Sequence, residues 1–110
     1  MDTCIFCKIS QKQIPSEFIY ENSEVFVIRD INPKDKTHLL IIPKVHISDL
    51  NRLDPASSLS VALFEAIQST AKMLENNHYR LQVNTGAASG QEVFHLHFHL
   101  LSSSKLKSGI

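Results

Sequence analysis

The sequence predicts an α+β domain in which one long amphipathic helix covers a sheet of short strands. Two stretches point to the sheet. Phe94-His95-Leu96-His97-Phe98-His99-Leu100-Leu101 alternates imidazole and apolar side chains, and Leu39-Leu40-Ile41-Ile42 is an unbroken aliphatic run suited to a central strand. The helix comes from a third stretch. Behind Asp54-Pro55, Leu59, Leu63, Ala66, Ile67, Thr70, Ala71 and Leu74 recur at helical spacing. A chain of 110 residues has room for one domain with a single core, burying roughly two-thirds of its surface without staples. Its formal net charge of zero gives no basic face for nucleic acid. No apolar run approaches the roughly 20 residues of a membrane span. Met1-Asp2-Thr3-Cys4 lacks the charged start and apolar core of a signal peptide, so the expected compartment is the cytoplasm.

In chain order, Cys4-Ile5-Phe6-Cys7 is a CxxC with nothing strand-like before it, which suits half of a metal site better than a thioredoxin-type motif. Phe18-Ile19-Tyr20 and Val25-Phe26-Val27-Ile28 read as a hairpin around Glu21-Asn22-Ser23-Glu24. Pro33 forbids further ladder pairing after Arg29-Asp30-Ile31-Asn32, where Asp30 is a natural turn former. The aliphatic strand starts near His38 and ends at Pro43-Lys44, with His46 just beyond. Asp54 as cap and Pro55 as first helical residue open the helix, and Asn76-Asn77 close it. Val61, Ala62, Phe64 and Met73 widen its apolar stripe beyond one core face and invite a subunit contact. Tyr79 to Asn84 alternates like a strand. In Thr85-Gly86-Ala87-Ala88-Ser89-Gly90-Gln91, small residues leave backbone amides that can meet an anion. Residues 102–110 read as a polar, frayed tail to a domain spanning 1–101.

Chemistry concentrates in the histidine stretch. On a strand, His95, His97 and His99 share one face, and Phe94, Leu96, Phe98 and Leu100 the other. Adjacent same-face residues lie about 6.6–6.8 Å apart, so three imidazoles cannot meet at one centre and the face divides between two tasks. Cys4 and Cys7 need two more ligands for a tetrahedral zinc, and His46 and His95 are the attractive ones. Four protein ligands leave no open position, so such a zinc is structural. His97 and His99 then remain for chemistry. Either His97 is a nucleophile assisted by His99 and His38, acting on an anionic, phosphate-like substrate, or two of these histidines and His38 hold a catalytic metal. The spacing alone favours neither.

The run His95 to Leu101 resembles the defining motif of the histidine triad superfamily of nucleotide hydrolases and transferases. The likeness extends over roughly Cys4 to Leu101 and includes Ile5 to Ile9, Arg29-Asp30-Ile31, Thr37 to Ile47 and Asn84 to Gln91. The best match is the histidine triad nucleotide-binding protein branch, zinc-binding bacterial type. This resemblance implies a five-stranded antiparallel sheet with one long helix and a short N-terminal helix or turn. It also implies a homodimer whose sheets join into ten strands, with the long helix at the interface. By the same resemblance His97 matches the nucleophile that attacks the α-phosphorus, His99 a phosphate contact and His38 an active-site histidine. Asp30 matches the ribose acceptor, with Ile31 beside it, and Ile5, Phe6 and Ile9 resemble the purine wall. Asn84, Gly90 and Gln91 match contacts to phosphate and leaving group.

The implied reaction is hydrolysis of a purine nucleoside phosphoramidate, of AMP–amine or AMP–lysine type, with no catalytic metal. The alternatives are a dinucleoside polyphosphate hydrolase and a nucleotide-binding regulatory protein with incidental hydrolysis. Related proteins that use a CxxC, a later His and the first His of the motif imply structural zinc on Cys4, Cys7, His46 and His95. Two departures stand out. Glu92 replaces a common Ser or Thr whose hydroxyl contacts phosphate or leaving group, and the Ser/Lys-rich end replaces an aromatic-bearing tail.

Overall fold

The computed structural model describes residues 3–110, so Met1 and Asp2, read above as the start of a leaderless chain, lie outside it. Its strands are β1 (Tyr20–Glu21), β2 (Val25–Arg29), β3 (Thr37–Pro43), β4 (Arg80–Gln82) and β5 (Phe98–Ser102). They form one five-stranded antiparallel sheet, as the resemblance implied, in the order β1-β2-β3-β5-β4, which the sequence left open. Two helices cover it, α1 (Ile5–Ser10) and α2 (Ser58–Ala71).

β3 is buried along its whole length because its aliphatic run meets protein on both faces. Leu39 and Ile41 join Leu63, Ala66 and Ile67 of α2, together with Leu96, Phe98 and Leu100. Leu40 and Ile42 face the other way, packing with Phe6 and Ile9 of α1. The hairpin is secured by Asn22, whose Oδ1 accepts from the amides of Glu24 and Val25 while Nδ2 donates to Ala62 of α2.

Three expectations need correction. The histidine stretch is a strand only from Phe98 onward. Pro43, at the end of β3, has no N–H to extend the ladder, and the Leu96 amide bonds to the Ile47 carbonyl instead. The alternation of faces nevertheless holds from His95 to Leu100, whereas Phe94 is half exposed. The second correction concerns α2, which is capped by Ser57 accepting from the Ser60 amide, not by Asp54. Asp54 and Pro55 instead make a turn in which the Asp54 carbonyl accepts from the Ser57 and Ser60 hydroxyls. Its far end comes at Ala71, before Asn76, because Leu74 leaves helical geometry to bridge Leu106. That bridge bears on the third expectation, the tail. Beyond Ser102, Ser104 is buried, its carbonyl accepts from the Thr37 hydroxyl at 2.7 Å, and its own hydroxyl accepts from the Asn76 amide.

Candidate active site and metal centre

Two constellations lie on the α1 side of the sheet, and His95 and His97 divide them. The first is a candidate metal centre. α1 brings Cys7 and its preceding residue Cys4 to the end of β3, where His46 and His95 arrive from the two chain segments that leave the ladder. Cys4 Sγ lies 3.3 Å from His95 Nδ1, Cys7 Sγ lies 3.4 Å from His46 Nδ1, and the two Nδ1 atoms are 3.1 Å apart. A tetrahedral ion with ordinary zinc–sulfur and zinc–nitrogen bonds separates its donors by about 3.3–3.8 Å, so this Cys2His2 set fits zinc.

The surrounding bonds agree. Fully buried His95 donates Nε2–H to the Pro43 carbonyl at 2.8 Å, which leaves the Nδ1 lone pair aimed at the cluster. Burial first, and the neighbouring His46 and His97 after it, bring its pKa down to about 4, so the ring stays neutral and able to ligate. Burial and the adjacent Cys4 thiol push the Cys7 thiol up; a bound divalent cation is what would make two thiolates tenable there.

The second constellation is a proton-ordered chain of imidazoles. The Lys34 amide donates to His38 Nδ1 at 3.1 Å, so the His38 proton sits on Nε2. That proton faces His99 Nδ1 at 2.9 Å, with Asp30 Oδ2 farther off at 3.5 Å. His99 Nδ1 is therefore an acceptor and its Nε2 carries hydrogen. Burial, with help from His97 and His38, holds the His99 pKa at about 4, and burial also lowers that of His38 against the pull of Asp30. His97 is fixed in the opposite tautomer. Its Nδ1 lies 2.8 Å from the His95 carbonyl, which can only accept, so Nε2 keeps a free lone pair. The Phe6 ring packs edge-on against His97 and His95 and stiffens both.

Asp30, His38 and His99 also cluster closely enough to suggest a metal. Their donor set does not fit one. His38 Nδ1 already accepts from Lys34, so ligation through Nε2 would require an imidazolate.

These groups open onto a pocket of about 700 Å³. Phe6, Asp30, Ile31, His38, Asn84, Gly90, Glu92, His97 and His99 line it, nine of the positions picked out in the sequence. Three others lie elsewhere. Ile9 is buried in the core between α1 and the sheet, and Ile5 faces a neighbouring depression. Gln91 is a loop staple, accepting from the Gly86 amide and donating to the Ser48 and Val93 carbonyls.

The loop itself is no open amide cradle, because the Ser89, Gly90 and Gln91 amides bond to carbonyls within it. Asn84 Nδ2 donates to the Ser89 carbonyl at 2.7 Å, and a Cβ on Gly90, at φ 92°, would stand 3.3 Å from that Nδ2. Sequence reasoning missed Lys34, Arg80 and Gln82 in the lining. The alternation of β4 held the signal for two of them, since Gln82 pairs with His99 and Arg80 with Leu101.

A family model for the HIT domain matches residues 11–106. The chain belongs to the HIT domain family. Its matched span holds His38, His97 and His99, with Cys4 and Cys7 ahead of it. Similar HIT relatives include Protein HitA of Neisseria gonorrhoeae, 39% identical over 105 residues, 94% of this chain and 98% of that protein. The purine nucleoside phosphoramidase of Escherichia coli K12 is 40% identical over 107 residues, 93% of this chain and 88% of that one. Among solved structures, a HIT family hydrolase from Clostridium thermocellum superposes with a TM-score of 0.85 at 37% identity, covering all of this chain and 96% of the other.

Proposed function

We propose that the protein is a purine nucleotide-binding hydrolase that cleaves nucleoside phosphoramidates through a nucleotidyl-histidine intermediate. The observation that carries this reading is the paired tautomers at the sheet surface. His97 presents an unshared Nε2 lone pair, and its neighbour His99 presents an Nε2–H, on one pocket wall. The first is a nucleophile at neutral pH and the second a donor for the oxygen on which charge grows.

In the first step His97 Nε2 bonds to the α-phosphorus as the phosphorus–nitrogen bond breaks, and the departing amine takes up a proton from water. In the second, water attacks phosphorus, the bond to Nε2 breaks, and nucleoside monophosphate leaves. Lys34 and Arg80 place positive charge in the same pocket for the anion. The Asp30 carboxylate, held by the Asn32 amide through Oδ1, serves the ribose hydroxyls, and Phe6 and Ile31 offer apolar surface to the base.

Structural zinc, when bound, supplies four bonds that tie α1 to the sheet and no open coordination position. We read the assembly as a cytoplasmic homodimer. Supporting this are β4, an edge strand with exposed Leu81, and α2, whose Val61 and Phe64 are each 60% exposed. The relative named a purine nucleoside phosphoramidase supports the substrate class.

Intact-protein mass spectrometry during turnover of an adenosine phosphoramidate tests the mechanism. A nucleotidyl mass on wild-type protein that is absent from His97→Ala is expected. Turnover by His97→Ala at the wild-type rate would rule the nucleophile out. A dinucleoside polyphosphate assayed alongside should be the slower substrate.

A further inference from the structure

The two cysteines of the chain flank a residue of the reaction pocket. Phe6, between Cys4 and Cys7, lines that pocket and lies edge-on to the rings of His97 and His95, with centroids 5.1 and 5.7 Å away. Both thiols are free and converge on His95 Nδ1, at 3.3 Å from Cys4 and 3.6 Å from Cys7. Their sulfurs are no more than 4.8 Å apart. Rotating the two side chains and shifting the start of α1, a six-residue helix without a side-chain cap, would bring them within bonding reach. Their access to solvent differs. Cys7 is 6% exposed, whereas Cys4 is half-buried and lines an open depression of about 520 Å³ with Ile5, His46 and Phe94.

We infer that Cys4 and Cys7 form a peroxide-sensitive switch, whose oxidation to a disulfide gives up the metal and displaces Phe6 from the nucleotide pocket. The Cys4 thiolate, reached through the depression, attacks one oxygen of hydrogen peroxide. The O–O bond breaks, the departing hydroxide takes a proton to become water, and the sulfur is left as a sulfenic acid. The Cys7 thiolate then attacks that sulfur, the S–O bond breaks, a second hydroxide leaves to become water, and the S–S bond forms. Peroxide thus takes two electrons, one from each sulfur. His46 and His95 are only half of a tetrahedral zinc set, so the ion is lost with the thiolates. Movement at either cysteine carries Phe6 with it. Releasing the His95 ring also loosens the carbonyl that lies 2.8 Å from His97 Nδ1.

The test treats zinc-loaded protein with hydrogen peroxide and follows zinc with a chromogenic chelator, free thiols, intact mass and AMP binding by calorimetry. Zinc release should run in step with loss of both thiols and of the mass of two hydrogens. The AMP dissociation constant should rise about fivefold or more, the effect of losing an aromatic face from the base. A dithiol reductant and added zinc should restore all four readings. Cys4→Asp keeps a ligating atom but no sulfur, so its zinc and its AMP affinity should withstand the same treatment. Retention of zinc by oxidised wild type, or a thiol oxidised to sulfinic acid without an S–S bond, would overturn the switch. A disulfide that leaves AMP affinity unchanged would overturn its link to the pocket. The affinity measurement alone rests on the nucleotide reading: reduced, zinc-loaded protein that binds no AMP would remove that reading and leave the sulfur chemistry standing.

Discussion

At the scale of single residues, the site depends on where protons sit. His97 contributes a lone pair that no neighbour shares, so its replacement by Ala should cost at least about 10³-fold in kcat, as loss of a covalent nucleophile does. The melting temperature should barely move, because His97 lies at the pocket wall outside the core clusters. His99 gives a pH prediction. An unfolded chain binds a proton on this ring near pH 6.5, whereas the folded protein resists until about pH 4. Between those values the unfolded state holds more protons, so stability from His99 is complete above 6.5 and is lost as pH falls toward 4. Urea titrations should give a lower midpoint at about pH 5 than at about pH 7.5, and His99→Asn should reduce the difference by about one proton's worth. Much of this was legible in the sequence, because in extended backbone alternation puts His97 and His99 on one face. The tautomers were not. They follow from the Lys34 amide and the His95 carbonyl, and main-chain groups leave no trace in composition.

At the scale of elements, two segments depend on a few side chains. α2 begins where Ser57 receives the Ser60 amide, so Ser57→Ala should cost about 1 kcal/mol in chemical denaturation. Asp54→Ala should cost less, since its carboxylate receives only the Ala56 amide and its carbonyl survives the change. The sequence misplaced this cap because Asp-Pro and Ser-Ser both satisfy the rules for a helix start. The winner is set by which hydroxyls reach the Asp54 carbonyl. α1 is weaker on its own. It has six residues and no side-chain cap, too short to persist in isolation. Phe6 and Ile9 pack beneath it, and Cys4 and Cys7 lie beside His46 and His95 in a set that zinc would tie together. Chelation or Cys7→Ser should therefore lower the melting temperature by about 10 °C or more and expose Lys8 to trypsin. Returning zinc should reverse the effect of the chelator, and a chelator-insensitive melt would argue against the structural ion.

At the scale of the whole molecule, the order β1-β2-β3-β5-β4 leaves β4 at an edge whose three residues are all exposed. If two copies join there, Leu81→Arg should shift sedimentation from dimer to monomer, and arginine at Phe64 should weaken association as well. The resemblance implied five antiparallel strands but not their order, and strand patterns alone say which segments pair with something but not with which neighbour. The long-range ties beyond Leu101 were invisible for the same reason: Ser104 is polar, yet it is buried because Thr37 and Asn76 use its hydrogen-bonding groups. His95 joins the two halves of the site by assigning them different atoms, its ring to the metal centre and its carbonyl to His97. A mutational scan reads side chains only, so it will credit His95 with stability and no residue at all with orienting His97. An amide-to-ester exchange of the peptide bond after His95 weakens that carbonyl as an acceptor and also removes the Leu96 N–H that donates to the Ile47 carbonyl, so it should slow the chemistry and lower the melting temperature together.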